Sequence, residues 1–494
     1  MYSLREPLKD WSNSFIRSNV LCSIRREKAL RGGLSVPGPR LFRLVFFSFL
    51  GSPVMQKYLF GRHVYSPEHE SWQRILQKGY TSKLRPVCLC LVQVQEGGPA
   101  LYIALSRGQY QLKRLPYSGP LHAPHCDHYE PPPELSGLGQ VNGSAIREDL
   151  ESETTTLTLD FALTKGRSRQ AAAAGEVEHE SVRNDGTKLT MRGLMHFLMD
   201  EAGLTRWTPA MQGRRSWYVI RRELLKAASS KMTKGQPLRA LLHIPEPFSL
   251  ERADEIRQRQ RESLARLAES TSARMILLGE VKAIEDARYG KCLVIKHMPD
   301  TKLMMTDQLH KHVVSRFAHQ LQFWSQIETS HLMMLATVSR NAQGVMSIEA
   351  ACLMNVNDQW LPFESLFEWE LLDSLQHAHR RFTKGLRYNL PSSKPLASVV
   401  LQDTGAASAA LFVVPQDADG DFEIAVRELA DQSLMETWIW RAGAEAMPPL
   451  PMTRTERDAH HSAPQHPVEP QTATATHGTS AESQEHPFSP QEME

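Results

Sequence analysis

Six cysteines in 494 residues are too few for a disulfide scaffold, and three of them, Cys88, Cys90 and Cys126, fall within a 39-residue span. In a reducing compartment, such clustering beside histidines speaks for a metal site rather than a disulfide. Long apolar runs are missing too. The best, "LVFFSFL" at 44–50, falls far short of the roughly 18–20 residues that span a bilayer. It also lies too deep in the chain for an ordinary signal peptide. The expectation is a cytoplasmic protein with no membrane partner. Net charge is only +2, so the chain is no polycation, and any nucleic-acid contact must come from a local patch. GxxxxGK[ST], HExxH and GxSxG are all absent, and no GxGxxG follows a strand pattern. The phosphate-loop, zinc-protease and serine-hydrolase readings drop out with them.

What is present reads as a multidomain α+β chain, because hairpin patterns alternate with helical ones. Residues 1–54 have no clear period. They read as a poorly structured extension, either an overlong gene start ahead of Met55 or a short amphipathic segment. Residues 55–163 form a small β-rich unit. Its "SPEHESWQRILQKGY" reads as a helix opened by Ser66 and Pro67. "VCLCLVQV" reads as a strand, "ALYIAL" and "YQLKRLP" as a hairpin, and "TTTLTLDFAL" as a closing strand. Residues 164–188 are a polar linker. Residues 189–245 are a basic, winged-helix-like segment, in which Leu194, Phe197, Leu198 and Ala202 share one helical face before Gly203. Its "PLRALLHIP" reads as a strand. Residues 246–445 form a C-terminal mixed α/β sheet domain. In it "TDQLHKHVVSRFAHQLQFWSQI" reads as one long helix, and Cys292 and Cys352 read as core. Residues 446–494 are polar and proline-rich, which predicts a disordered tail.

In an extended strand, positions i and i+2 point to one face. Cys88 and Cys90 can therefore offer both sulfurs to one ion, with Leu89 turned to the core on the other side. Cys126, in "LHAPHCDHY" at 121–129, supplies a third sulfur, and a return loop of about thirty residues is no obstacle. The fourth donor is His122, His125 or His128. His122 is favoured because four residues separate it from Cys126 and leave a turn to wrap an ion. His125 is adjacent to Cys126, which makes joint ligation awkward, and His128 stays a competitor. Three thiolates and one imidazole match structural zinc, with a site charge of −1. Arg85, Lys113 and Arg114 are near enough in sequence to balance it. A catalytic zinc would need an open position and a base. Glu130 or Glu134 could serve, but prolines 131–133 stiffen that stretch. The reading is a structural zinc.

"RPVCLC", "LYIAL", "YQLKRLP", His122, Cys126, "YEPPPELSGLG" and "RRFTKGLRYNL" together resemble the bacterial domain-of-unknown-function 1173 family, over roughly residues 55–445. The resemblance implies a plasmid or integrative-conjugative-element setting and a bacterial cytoplasm. It marks Cys88, Cys90 and Cys126 as the three N-terminal cysteines of the family, and it implies no activity.

From Arg206 to Arg239 there are nine Lys and Arg and one acid, Glu223, interleaved with Trp207, Trp217 and Tyr218. On a helix starting near Ser216, Arg222 and Lys226 share a face, with Arg214 and Arg215 just before it. Val219, Leu224 and Ala227 form a core side. This is a workable DNA-reading surface, against the plainer reading of a solvated face. Further on, a helix with Glu368 and Glu370, the basic "RRFTKGLRYNL", a strand ending at Asp403 and the strand "AALFVV" resemble the order of restriction-endonuclease-like folds. The second strand lacks the acid and lysine that metal-assisted cleavage needs. Trp369, Leu372 and Leu375 would pack inward, and Arg380, Arg381, Lys384 and Arg387 would be solvated or touch phosphates. The leading reading is a non-enzymatic accessory protein of a mobile element, stabilised by zinc and associated with DNA. A protein–protein adaptor, docking other mobile-element proteins, is the alternative. A nuclease, degenerate or active, comes third.

Overall fold

A computed structural model describes residues 56–91, 97–106, 108–151, 153–164, 186–288 and 290–462. The expectations for 1–54, for most of 164–188 and for the tail beyond 462 lie outside these. The chain divides into two units, Met1–Pro451 and Met452–Glu494. The described part of the second carries one helix, Arg454–Ser462. The architecture is α+β, as expected.

The N-terminal part is a three-stranded sheet (His63–Tyr65, Tyr58–Phe60, Val87–Cys88) beside the hairpin Leu101–Ser106 and Gln109–Arg114. The helix Trp72–Thr81 starts from Ser71 rather than Ser66. Ser66 instead accepts a bond from the His69 amide at 3.1 Å, in a turn before the helix. At Gly79 a Cβ would lie 2.5 Å from Ile103 Cδ1, so glycine lets helix and hairpin meet. The core here is Tyr58, Phe60, Leu76, Leu101, Ile103 and Tyr129, with Cys88 and Cys126 among them. The expected closing strand belongs elsewhere. Thr154–Leu157 pairs with Ile146–Asp149 and Lys231–Thr233, and Leu157 lies in the main core.

The main core joins what read as separate segments. The helix Met191–Glu201 is capped by Thr190 Oγ1, which accepts from the Gly193 amide at 3.0 Å. It ends at Gly203, φ +66°. Its Leu194, Met195 and Leu198 share one core with Trp217, Ile220 and Leu224 of the helix Trp217–Ala227 and with Met275–Leu278 and Leu332–Leu335. "PLRALLHIP" is not one strand. Leu238–Leu241 is a helical turn burying Leu238 and Leu241 at i, i+3, and only Leu242–His243 is extended.

At the centre is a ring of strands. Met275–Asp286 pairs through its first half with His331–Arg340 and through its second half with Lys291–Ile295. A register shift between Val281 and Ala283 marks the change of partner. Lys291–Ile295 pairs with Lys302–Met305. That strand meets Met346–Val356 in parallel at Met304 and Ser347, and Met346–Val356 pairs back onto His331–Arg340. The order around the ring is first, second, third, fifth, fourth. The segment between the third and fourth strands holds two helices, Asp307–Arg316 and Ala318–Gln326, split at the buried Phe317. This is the connectivity of an OB-type Greek-key barrel. Cys292 and Cys352 are buried in its strands.

A second core lies under the five-stranded sheet Glu436–Arg441, Ala409–Val414, Val399–Leu401, Phe382–Lys384, Arg206–Trp207. The strands Phe382–Lys384, Val399–Leu401 and Ala409–Val414 form an antiparallel meander. The last strand returns parallel after the helix Gly420–Ser433, which the sequence reading did not anticipate. Residues 446–451 are docked rather than disordered. Met447 and Leu450 pack on this core, and the Pro449 carbonyl accepts from Trp438 Nε1 at 3.0 Å.

Candidate metal centre

Cys88 ends its short strand, and Cys90 lies just past it in a segment that stays extended. The Leu89 amide donates to the Lys57 carbonyl at 3.0 Å, which keeps Cys88 and Cys90 on the same side. The strand is thus shorter than expected, and Leu89 is only half-buried. A close chain crossing secures it: a Cβ on Gly98 would sit 2.0 Å from the Cys88 carbonyl oxygen. The short 3-10 turn Gly119–Leu121 ends at His122. A tight turn follows, in which the Cys126 amide donates to the Ala123 carbonyl at 2.8 Å.

These segments bring Cys88, Cys90, His122 and Cys126 together, with one donor atom of each within 4.8 Å of all the others. Cys88 Sγ is 3.6 Å from Cys126 Sγ. His122 Nδ1 is 3.6 Å from both Cys90 Sγ and Cys126 Sγ. An ion bonded to sulfur at about 2.3 Å and nitrogen at about 2.05 Å makes tetrahedral edges of about 3.8 Å (S–S) and about 3.6 Å (S–N). The observed edges fit that tetrahedron. All four corners come from the protein, and His122, Cys88 and Cys126 are each at most 3% exposed. His125 is half-buried outside the cluster. His128 turns Nε2 to Tyr58 Oη at 3.2 Å.

The surroundings suit negative sulfur. The Ala123 amide donates to Cys90 Sγ at 3.4 Å. The His128 amide donates to Cys126 Sγ at 3.4 Å, and Gln56 Nε2 does so at 3.8 Å. Hydrogen bonding with Cys126 pushes the Cys88 thiol well above its ordinary range and holds Cys90 well below it. Burial, then the positive potential of neighbours, lowers His128 to about 4. With Nδ1 facing the sulfurs, His122 keeps Nε2 buried without a partner.

The loop carrying His122 and Cys126 also fastens this part of the chain to the five-stranded sheet. Arg206 donates to the Asp127 carbonyl at 3.3 Å and pairs with Glu130. Arg381 pairs with Asp127 at 3.6 Å. Ser408 Oγ donates to Tyr129 Oη at 2.8 Å. Glu130, considered above as a base, is held by Arg114 and Arg206, and Glu134 is exposed. Arg114 thus spends its charge on Glu130, and Arg85 lies over the Tyr102 ring at 5.9 Å. Nothing in the spacing of Asp127 and Glu130 announces these partners.

The basic residues separate in space. Arg215 turns inward, donating to the carbonyls of Leu204 at 2.8 Å and Gln359 at 3.2 Å. Its guanidinium lies 5.4 Å from the Trp207 ring centre, and burial lowers its pKa to about 10. Arg214, Arg222 and Lys226 are exposed, with Arg222 paired to Glu223 at 2.7 Å. Tyr218, 61% exposed, lies at i−4 from Arg222 and i−8 from Lys226, on the same helix face. Leu224 and Ala227 are buried on the other side, while Val219 is half-buried.

The nuclease-like order of elements exists, but Asp403 and Glu368 serve the fold, and Glu370 is exposed. Asp403 accepts from Arg380 Nε at 3.0 Å and Nη2 at 2.7 Å, and from the Arg381 amide at 2.8 Å. Glu368 accepts from Lys384 Nζ at 3.0 Å, and both are buried. Leu372 and Leu375 are fully buried, as expected, while Trp369 is half-buried. Arg380, Lys384 and Arg387 are neither solvated nor free for phosphate: Arg387 pairs with Glu364. Each is held by a carboxylate, buried for Glu368 and half-buried for Asp403 and Glu364.

A family model described as "Protein of unknown function (DUF1173)" matches residues 58–443. No curated protein and no solved structure matches the chain.

Proposed function

The chain belongs to the DUF1173 family of unknown function, and from that premise we propose a non-enzymatic accessory protein that is stapled by structural zinc and associates with nucleic acid. The observation that carries it is the closed Cys88, Cys90, His122, Cys126 tetrahedron. A catalytic zinc keeps a coordination position for water or substrate, and here protein donors take every corner. Bound zinc would supply a cross-link between the strand end and the docking loop. The protein's own part is to hold the Cys90 and Cys126 sulfurs in amide hydrogen bonds and to press that loop onto the five-stranded sheet.

Two features support the nucleic-acid half of the reading. OB-type barrels bind oligonucleotides in many settings, although a fold alone does not assign a function. The helix Trp217–Ala227 adds an exposed aromatic and two exposed cations, Tyr218, Arg222 and Lys226, on one face. Such a face can stack a base and pair with phosphates. A bacterial mobile-element setting and a cytoplasmic location go with the proposal. Among the described residues no helix is long and apolar enough to cross a membrane. One observation favours the adaptor reading: Tyr117 and Leu121, beside the metal loop, are 58% and 63% exposed.

The test is elemental analysis of the purified full chain, with duplex and single-stranded DNA binding followed against salt. One zinc per chain and binding that weakens steeply with salt support the proposal. Zinc without DNA retention at any salt moves the reading to the adaptor.

A further inference from the structure

Away from the metal, four elements converge on a polar cavity of about 150 Å³ lined by Arg221, Arg239, His243, Glu246, Arg259 and Ser263. Arg221 comes from the helix Trp217–Ala227, Arg239 from the turn Leu238–Leu241, and Arg259 and Ser263 from the helix Ala253–Ser263. His243 comes from the strand that runs parallel to the first strand of the barrel.

Its internal bonds leave donors over. Among the described residues that line it, Glu246 is the acid. It takes Arg259 Nε at 3.0 and 3.1 Å and lies 3.7 Å from an Arg221 Nη2. Arg221 also donates Nε to the Ile244 carbonyl at 3.0 Å. Arg259 Nη1 also lies 3.6 Å from Glu255 Oε2, and the guanidiniums of Arg221, Arg239 and Arg259 all line the cavity. His243 is 6% exposed, with Nδ1 2.8 Å from Ser263 Oγ. Its Nε2 is buried and has no partner, and neither does Arg259 Nη2. A buried polar atom without a partner costs free energy, so these two atoms call for a ligand. Where Ser263 donates to Nδ1, Nε2 carries the proton and becomes a donor.

We propose that Arg221, Arg239, His243 and Arg259 form a binding pocket for a phosphate group. The guanidinium fork matches phosphate geometry. Donors that come from several directions, with His243 Nε2 and Arg259 Nη2 buried and unpartnered, suit the tetrahedral oxygens of phosphate better than the two coplanar oxygens of a carboxylate. The volume holds several waters and so takes a tetrahedral oxyanion. The pocket stands whether or not the exposed helix face binds nucleic acid.

The test is titration calorimetry on the full chain with inorganic phosphate in a phosphate-free buffer, with acetate as control. Saturable one-site binding is expected for phosphate and none for acetate. Arg259→Gln and Arg239→Gln should each weaken it by about tenfold or more, the loss of one charged hydrogen bond. Arg239 is exposed, so its variant keeps the test open should Arg259→Gln misfold. Oligonucleotides with a 5′-phosphate and with a 5′-hydroxyl separate the sources. A gain from the 5′-phosphate that Arg239→Gln abolishes supports the pocket with a nucleic-acid end as ligand. Binding of inorganic phosphate alone supports it with a free phosphate as ligand. No saturable phosphate binding, or affinity unchanged in both variants, overturns it. Arg222→Glu with Lys226→Glu should weaken duplex binding and leave phosphate titration intact, which separates this proposal from the preceding one.

Discussion

Removing the metal should loosen one part of the chain and spare the rest, by an amount that the loop length sets. Cys88 and Cys126 are 38 residues apart. A cross-link closing a loop of that length removes unfolded-chain entropy worth about 4 kcal/mol in the loop-closure treatment. The closure between Cys90 and His122 is nested inside it and adds little, so the two count as one. About 4 kcal/mol is a factor of about 10³ in a local opening constant. Hydrogen exchange read by mass spectrometry on the full chain, with and without a zinc chelator, measures that constant locally. The reporters are the Ala123 and His128 amides, which donate to Cys90 and Cys126 sulfur, and the Cys88 amide, which donates to the Pro99 carbonyl at 2.9 Å. Their exchange should rise by about three orders of magnitude while the buried barrel strand His331–Arg340 stays protected. Cys126→Ser should mimic chelation, and His128→Ala should leave metal stoichiometry unchanged. Equal protection with and without metal would refute the staple, as would purified protein that holds well under one zinc per chain.

Lys384→Met strands the Glu368 carboxylate in the second core and should cost about 3–5 kcal/mol in urea unfolding; a loss under about 1 kcal/mol would mean the pair relaxes to water. Burial raises the Asp200 carboxyl from 3.8 to about 6, against the lowering bonds from Thr205 and Tyr388. A raised folded-state pKa means stability is full below pH 3.8 and falls as pH rises to about 6. Asp200→Asn should therefore flatten that fall, worth about 2–3 kcal/mol, and identical pH profiles in the two proteins would count against it. Arg222→Glu with Lys226→Glu should cut the log–log salt slope of DNA binding by about 2, and an unchanged slope places the contacts elsewhere.

The part of the site readable in sequence was the part set by local geometry. The i, i+2 spacing of Cys88 and Cys90 survives although the strand stops at Cys88, because a single backbone bond from Leu89 keeps the chain extended. The choice of His122 over His128 was legible as turn length but not as competition: His128 is diverted by Tyr58, seventy positions away. The third strand, Lys302–Met305, was not read as a strand, and the barrel was not legible as a ring. Its closure rests on the parallel meeting of Met304 with Ser347 and on one long strand serving two partners, and neither leaves a local pattern. The run of basic residues was the least informative feature. Arg214 and Arg215 are neighbours in sequence, yet one is exposed and the other is bound to backbone carbonyls, which composition does not register.

The inward turn of the second basic stretch narrows where nucleic acid can bind. In "RRFTKGLRYNL", Arg380, Lys384 and Arg387 pair with Asp403, Glu368 and Glu364. The same stretch meets "YEPPPELSGLG" directly. The Gly137 amide donates to the Leu386 carbonyl at 2.9 Å, and a Cβ on Gly137 would lie 1.7 Å from the Arg387 carbonyl oxygen. Two motifs that lie 250 residues apart thus form one joint, beside the loop that brings His122 and Cys126 to the metal. A phosphate track over this joint would have to break the buried Lys384–Glu368 pair and two half-buried ones, the buried pair being the most costly to open. The exposed face of Tyr218, Arg222 and Lys226 carries no such cost. Loosening the joint should therefore disturb the metal loop first and leave that face intact. Gly137→Ala tests this, since its Cβ has no room: faster exchange at residues 119–130 with unchanged DNA affinity is the expected pair of results, and lost DNA affinity with an intact loop would reverse the assignment.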